Sequence, residues 1–595
     1  MKFDHIDGTR LKQAIIAGAR RVIMMQDNLN RINVFPVADN DTGTNMALTM
    51  QCVAEGVISC QDVRLSVMSQ CLAESALMGA RGNSGAILAQ FFQGLSESFT
   101  GKGTASLYHF GEAVGVAKVR AFEAITEPKE GTILTVMHDW AESISHHCHQ
   151  SGSFMELLRK GLSAAQHSLK ETPKKMKILA KAGVVDAGAQ GFVHMLEGMF
   201  HFFESGKIEK AVGIGGNSVA RARVKSAPED ITFRFCTECL IAGVAIERIK
   251  LRDELRNHGN SLIVAGSAEK VRVHIHTDHP ETVFEIAGNY GEVSKKKFDD
   301  MRTQHQQAYG EKADAKIALI TDSSCDLPPE FVIRHNIQMV PVQISFGKDT
   351  YLDKINITPK EYYRLLQESE HDPKTSQPTP GDYLDTYNDL WGHYEEAISI
   401  HLSGALSGTF QAAETAASSV SGHKISLVDS CTTCVALGLI VAEAAHAIGE
   451  GLDSDAVLKR VEEAKKNVRF FVYFENLEYA IRGGRLSKSR GLLASVLNLK
   501  PILTLDKNGN VEILSKTFGG KAALRKIMQF VIDEARGKRK VRFGVAHANA
   551  PQKAAWLEEQ IKKQFELNDV MVVNVSPALG AHAGPGAAGV AFLGE

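Results

Sequence analysis

The chain has 595 residues, of which 44% are hydrophobic and 23% charged, with a formal net charge of −2. That length exceeds what one core supports and points to roughly two to four domains, while near-neutrality speaks against nucleic acid as a partner, which calls for a basic excess. No apolar run approaches the roughly 18 residues of a membrane span, and Met1-Lys-Phe-Asp-His5 opens no signal-peptide stretch, so the cytoplasm is expected, where the nine cysteines serve as reduced thiols or metal ligands.

From Gly8 to about Phe203 apolar residues recur at helical spacing, as in Leu11, Ile15, Ala19, Val22 and Ile23 and again in Leu157, Leu162, Ala165 and Leu169. This predicts an all-α domain of roughly eight helices. The first interruption is Asn33-Val-Phe-Pro-Val-Ala-Asp-Asn-Asp-Thr-Gly-Thr-Asn45. Pro36 keeps the segment out of helix, so Asp39 and Asp41 fall on one side of it, and Gly43 lets the chain turn. Thr44 and Asn45 offer small polar groups where a helix over Met46 to Val57 is expected. Paired carboxylates beside a helix N-terminus suit Mg²⁺ with a polyphosphate; the same residues also describe a solvated Asx-rich turn.

Three more loops follow. Gly79-Ala-Arg-Gly-Asn-Ser-Gly85 precedes a helical run and reads either as a phosphate cradle, in which amides without Cβ atoms approach an anion, or as a helix–helix turn. Glu130-Gly-Thr-Ile-Leu-Thr-Val136 reads as a helix start with Thr132 as cap. In Gly183-Val-Val-Asp-Ala-Gly-Ala-Gln-Gly191, Asp186 either takes a ribose hydroxyl or caps the next helix.

The Asn33–Asn45 stretch resembles the N-V-F-P-V-P-D-G-D-T-G-T-N-M signature of the nucleotide-binding domain shared by dihydroxyacetone kinases and bacterial fatty acid kinases, with Ala38 and Asn40 in place of a usual Pro and Gly. The same family's R-G-N-S-G, E-G-T-x-L-T-V and A-G-V-V-D-A-G segments stand in order at Arg81–Gly85, Glu130–Val136 and Ala182–Gly188. The resemblance implies an antiparallel helical barrel with ATP and Mg²⁺ held by the loops at one end. Its nucleotide contacts would be Thr42, Gly43, Thr44, Asn45, Gly82, Asn83, Ser84, Gly85, Thr132, Asp186 and Gly188. Asp39 and Asp41 would hold the metal, with Asn33 as counterpart of a third acidic ligand.

Residues 204–229 are Gly/Ser/Lys-rich and aperiodic, as in a linker. A smaller α+β unit over 230–306 follows, with strands expected at Thr232–Phe235, Ser261–Ala265 and Lys270–Thr277. It carries Cys236-Thr-Glu-Cys239 and His274-Ile-His276, the strand period placing both histidines on one face. Two thiolates and two imidazoles would make a tetrahedral zinc site; the competing reading is a sheet packed with ordinary Cys and His. The C-T-E and V-H-I-H-T segments resemble the middle domain of the fatty acid kinase, which implies structural Zn²⁺ on Cys236, His274 and His276, with Cys239 where that family has an apolar residue. His146, His147 and His149 read as a solvated helix end.

Beyond a polar connector near 307–316, strands alternate with helices near 317–321, 338–345, 396–400, 424–428, 469–473 and 542–546, which predicts an α/β region with a mostly parallel sheet and ligands beyond the strand ends. Small polar residues cluster at Thr321–Ser324, Lys374–Thr379, Ser403–Thr409 and Gly580–Gly586, as an anionic head group would need; singly each also reads as a turn or cap. Cys431-Thr-Thr-Cys434 reads as packing. Together these segments resemble the DegV family of fatty-acid-binding proteins over 316–595, through Thr321–Asp326, Thr375–Pro378, Leu406–Thr409, Gly483–Arg485 and His582–Gly586. The resemblance implies a carboxylate held by Thr375, Ser376, Ser407, Gly408 and Thr409, with His582 and Arg485 near the head group. A basic position common in that family falls here at Phe518 and Gly519, so either Lys516 or Lys521 substitutes or the role is lost.

The expectation is thus a multidomain chain: an all-α helical barrel at 1–205 for ATP and Mg²⁺, an α+β middle domain at 230–306, and a two-lobed α/β fatty-acid-binding domain at 316–595. Fused, they imply a fatty acid kinase making acyl phosphate, with Asp39, Asp41, Arg485 and His582 at the chemistry. A fatty acid carboxylate with a pKa of about 4–5 is already ionised, so no general base is needed. Implied partners are the fatty acid, an acyltransferase that consumes acyl phosphate, a membrane surface for lipid exchange and a second copy of the chain. The rival readings are a dihydroxyacetone-type kinase and a lipid-binding protein with an inactive kinase domain.

Overall fold

A computed structural model describes residues 4–35, 41–125, 128–209, 232–301, 316–391, 394–486 and 499–594. Asp39, most of the 204–229 linker and most of the 307–316 connector lie outside the described residues. The chain divides into two compact units, one of residues 1–209 with 217–312 and the other of 210–216 with 313–595.

The first unit opens with ten helices among the described residues: α1 (Gly8–Met24), α2 (Gln26–Arg31), α3 (Thr42–Ser59), α4 (Leu65–Gly79), α5 (Gly82–Phe99), α6 (Leu107–Glu123), α7 (Ile133–His147), α8 (Phe154–Lys175), α9 (Lys177–Ala182) and α10 (Ala187–Ser205). The short α2 and α9 aside, eight helices pack side by side in the order α1-α3-α4-α5-α6-α7-α8-α10 and back to α1, which closes a barrel. The helical periodicity of the sequence turns Ile15, Phe92, Val114, Met137, Phe154 and Phe192 into one common core, each such side chain contributing about 1.5–3 kcal/mol by leaving water. Asp7 starts α1 by accepting the Arg10 N–H at 2.8 Å, and β1 (His5–Asp7) pairs antiparallel with β2 (Thr104–Ser106) just before α1 and α6.

The same unit carries a four-stranded antiparallel sheet of order β4-β5-β3-β6, from β3 (Phe235–Ala242), β4 (Asn260–Gly266), β5 (Lys270–Thr277) and β6 (Glu292–Asp300). The first strand runs over 235–242 rather than 232–235, and β6, whose lysine-rich sequence hides its strand character, completes the sheet. Alternation along β5 sends Val271, Val273 and Ile275 into a core with α11 (Arg248–Leu255) and α12 (Pro280–Gly288). Arg272, His274 and His276 consequently share the opposite face. On that side Ile263 and Ala265 pack with Leu77 and Ala86 of the barrel.

The second unit holds two main sheets. One is parallel throughout, in the order β13-β12-β7-β8, from β7 (Ile317–Asp322), β8 (Gln338–Val340), β12 (Glu396–His401) and β13 (Lys424–Asp429). The other has six strands in the order β16-β15-β14-β19-β17-β18, from β14 (Val468–Tyr473), β15 (Leu499–Leu505), β16 (Val511–Phe518), β17 (Arg542–His547), β18 (Met571–Asn574) and β19 (Ala588–Leu593). Only β17 and β18 run parallel in it. The expectation of a mostly parallel sheet therefore holds for the first sheet alone: β15 and β16 form a tight hairpin at Asp506–Asn510, which forces antiparallel pairing. The helix Cys434–Gly449, apolar except for Glu443 and His446, packs against strands of both sheets and is buried along most of its length. A small sheet of β9 (Gln343–Phe346), β10 (Asp349–Leu352) and β11 (Pro373–Ser376) completes the unit.

Candidate nucleotide, metal and acyl sites

In the first unit a cavity of about 560 Å³ is lined by Asp41, Thr42, Asn45, Gly82, Asn83, Ser84, Thr132, Asp186 and Gly188, and so brings together loops up to 147 residues apart in sequence. Asp41 stands just before α3, where its Oδ2 accepts the Asn45 amide at 2.9 Å. Gly82 begins α5 with φ +57°, a conformation a side chain would strain. Asn83 Oδ1 is buried there without a hydrogen-bond partner among the described residues. Arg81, Lys129, Arg256 and Lys297 also line the cavity, so the donor set suits a polyphosphate carrying a hard metal ion. Arg256 and Lys297 were missed in the sequence because they lie in surface-like polar runs of the middle region.

Asp186 both caps α10 and lines the cavity: its Oδ1 accepts the Ala189 N–H at 2.8 Å. It is 5% exposed, and burial pushes its carboxyl up to about 6 against the opposing pull of the Ala189 and Ile133 amides. Other expected contacts sit elsewhere. Thr44 Oγ1 is taken by Asn30 at 3.0 Å and Gln26 at 3.2 Å, so this hydroxyl fastens α3 to α2. Gly43 faces the same way, a Cβ there falling 2.1 Å from the Gln26 carbonyl oxygen. Gly85 packs against Thr49, and Asn33 is buried at 2% exposure and is not among the cavity's lining residues. These four do not line the pocket, because the side of the turn that meets α2 or the barrel wall is spent on packing. Asp39 lies outside the described residues.

Cys236, His274 and His276 line the same cavity, their ligand atoms all within 4.8 Å of one another. Register explains the grouping: Cys236 pairs with His276 and Glu238 with His274 across β3 and β5. Cys239, three positions on, points to the opposite face and is buried in the core beneath α11 and α12, so the four-ligand arrangement does not form. His274 Nε2 is buried without a partner among the described residues. A thiol and two imidazoles whose ligand atoms lie this close, with one ring nitrogen orphaned, fit zinc. With no metal, burial opposes protonation of His274, but its contacts with Cys236 and Glu238 outweigh it and raise the imidazole to about 10, while burial and His274 push His276 down to about 3. Glu238 feels burial too, yet bonds to His274, Arg272 and the Gly82 amide keep its carboxyl well below the usual range.

In the second unit a cavity of about 440 Å³ has walls of Val342, Leu402, Phe470, Val472, Phe474, Leu503, Val511, Ala546 and Val575, a size and lining typical of small-ligand pockets, which run about 300–1,000 Å³. Its polar residues include Thr375, Ser376, Ser407, Thr409, Arg485 and His582, with Ser324 and Gln377 from the small polar clusters of the sequence, and Thr433, Cys434 and Thr504, which the sequence did not single out as ligands. Three contacts tie some of them down. Thr375 Oγ1 lies 2.9 Å from His582 Nε2, Ser407 Oγ is 2.9 Å from Thr409 Oγ1, and Arg485 Nε donates to the Leu406 carbonyl at 3.2 Å. Burial, helped by the Arg485 charge, pushes His582 down to about 4, so the ring is neutral at pH 7. Gly408 is not among the lining residues and abuts Gln377 instead, a Cβ there meeting its amide oxygen at 2.2 Å. Lys516, Phe518 and Lys521 are exposed and line no part of this cavity.

A second arrangement in this unit has the outline of a nucleophile triad: Ser399 Oγ lies 2.7 Å from His401 Nε2, and His401 Nδ1 3.2 Å from Asp322 Oδ2. All three residues are fully buried, and Ser399 is held by the Tyr387 hydroxyl at 3.0 Å. None of them lines a described cavity, so the network is structural. No helix among the described residues is long and apolar enough to cross a membrane.

Comparison with known proteins finds three matched regions. Residues 36–201 match the DAK2 domain, 232–308 the FakA-like middle domain of fatty acid kinases, and 316–595 the DegV family, whose description is that of an uncharacterised protein family. An uncharacterized protein of Staphylococcus saprophyticus is 33% identical over 330 residues, 54% of this chain and 59% of its own length. One from Staphylococcus aureus strain USA300 is 32% identical over 313 residues, 51% and 57% of the two chains. The chain thus spans less than two thirds of these relatives' length. Among solved structures, a fatty-acid-binding DegV family protein of Thermus thermophilus is 30% identical with a TM-score of 0.45, covering 47% of this chain and 100% of its own. DegV of Bacillus subtilis, a fatty acid binding protein, is 33% identical with a TM-score of 0.44, covering 47% and 99%. The chain therefore joins a DAK2 domain, a FakA-like middle domain and a DegV-family region in one polypeptide.

Proposed function

We propose that this protein is a fatty acid kinase that transfers a phosphoryl group from ATP to the carboxylate of a fatty acid, with domains at 1–205, 230–306 and 316–595. The observation that carries the reading is the apolar cavity of about 440 Å³ whose lining includes the hydroxyls of Thr375 and Ser407 and the ring of His582. An acyl chain would fill the apolar part, and hydroxyls with Arg485 would receive the carboxylate. Neutral His582 can donate one hydrogen bond to that carboxylate without adding charge. In the first unit Asp41, with Asp39, would hold Mg²⁺, which supplies charge neutralisation on the phosphates. The Asn83 and Ser84 region at the start of α5 and the cations Arg81 and Lys129 would orient the triphosphate, and Asp186 would accept from the ribose. An ionised acceptor needs no proton removed, so these residues serve to bring one anion onto another rather than to act as bases. Carrying both halves on one chain raises their effective concentration to about millimolar for a suitable linker, and transfer between two copies meets the same chemical demand. Acyl phosphate would pass to an acyltransferase, and lipid exchange would take place at a membrane surface.

Two measurements test this. Mass spectrometry of lipid released on denaturing the purified chain should show fatty acid at near-stoichiometric amounts. ATP consumption should then depend on added fatty acid and not on dihydroxyacetone; turnover with the ketone alone, or a chain that neither retains nor accepts fatty acid, would refute the assignment.

A further inference from the structure

Glu238 belongs to neither ligand set assigned above, yet it touches both. On β3 it faces the same side as Cys236 and its cross-strand neighbour His274. It is 3% exposed. Its Oε1 accepts the Gly82 N–H at 3.0 Å and the His274 Nδ1–H at 3.1 Å, while Oε2 accepts from Arg272 at 2.8 Å, with Arg81 4.0 Å away. One oxygen thus ties the first amide of α5, in the loop that reads as a phosphate cradle, to a ring of the candidate metal cluster. A metal on one nitrogen of His274 requires the proton on the other, and Glu238 is the acceptor in place for it.

We propose that Glu238 is a positioning residue that couples the Cys236–His274–His276 site to the nucleotide cavity, so that zinc and nucleotide each tighten binding of the other. This rests on the reading that the cavity takes nucleotide and the cluster takes zinc. Two terms give the positive sign. A divalent ion in the cavity wall makes it more favourable for an anion, whether or not Glu238 is there. Ordering His274 also fixes the carboxylate, and through it the Gly82 end of α5, and this part disappears with the side chain.

The test uses the full chain, zinc-loaded or stripped by a chelator, with Mg²⁺–ADP binding followed by calorimetry. In the native sequence zinc is expected to tighten ADP about 5- to 20-fold, and linkage requires ADP to tighten zinc by the same factor. Glu238→Gln keeps the size and one acceptor oxygen but drops the charge; it should lower zinc affinity about 10- to 100-fold and bring the ADP ratio below about threefold. Glu238→Asp, too short to span both donors, should keep zinc but lose most of the coupling. Equal ADP affinity with and without zinc in the native chain overturns the proposal, even if neither variant folds. So does undiminished coupling in a folded variant. Failure of the native chain to bind zinc or ADP at all overturns this proposal together with the functional reading beneath it.

Discussion

Asp186→Asn separates the stability of the helical domain from its proposed function. Asp186 is 5% exposed and its carboxyl is pushed from 3.8 up to about 6 by burial. At about 1.4 kcal/mol per pH unit, holding it ionised at neutral pH costs the folded state about 3 kcal/mol. Asparagine is an equally good N-cap, so the bond from the Ala189 N–H survives the change. The variant should therefore be more stable than the native chain by about 1–3 kcal/mol at pH 7.5, without ligand. The sign follows from proton uptake. Between pH 3.8 and about 6 the folded state holds a proton at Asp186 that the unfolded chain has lost, so native stability gains on acidification and the advantage of the variant shrinks below pH 6. Denaturant titrations can be read from Trp140 alone on a Trp391→Phe, Trp556→Phe background, since the chain has three tryptophans. If Asp186 accepts from a ribose, the variant should also bind Mg²⁺–ADP about tenfold more weakly. A variant no more stable than the native chain at pH 7.5, or one whose gain persists unchanged to pH 5, refutes the argument.

Asp41→Asn should keep the contact with Asn45 and the fold while lowering fatty-acid-dependent ATP turnover by about a hundredfold or more, measured as acyl phosphate trapped by hydroxylamine. Ala546→Leu fills part of the second unit's cavity, so mass spectrometry of the retained lipid should shift to shorter chains, with a stability loss of about 1–3 kcal/mol from overpacking. His582, held down to about 4, stays neutral in the folded chain while the unfolded chain takes up a proton near 6.5; its contribution to stability is thus lost as pH falls from 6.5 to 4, and His582→Gln should flatten that part of the pH–stability curve. Asp322→Ala strands the His401 ring and the Leu402 and Ser324 amides and should destabilise the second unit by about 3–5 kcal/mol, whereas Ser399→Ala should cost about 1 kcal/mol and leave lipid retention and ATP turnover intact.

Contiguous sequence determined what depends on neighbours along the chain. Helical periodicity gave the barrel, because apolar residues at Leu11, Ile15 and Ala19 must share a face whatever they meet. The short motifs gave the loops at Asp41, Gly82 and Asp186, since glycines and capping acids dictate backbone conformation locally. Tertiary structure decided which of those residues face a cavity. Thr42 and Asn45 reach the cavity while Thr44, between them, is consumed by Asn30, a choice made by where α2 lies against α3. Cys239 was separated from Cys236 by strand alternation, but only the helices on one face of the sheet made that side a core. Likewise the pairing of His274 with Glu238, and the meeting of Thr375 with His582 across 207 residues, are set by packing. A motif fixes the shape of its own few residues; the partner that gives them a role comes from parts of the chain whose approach is governed by burial of apolar surface elsewhere.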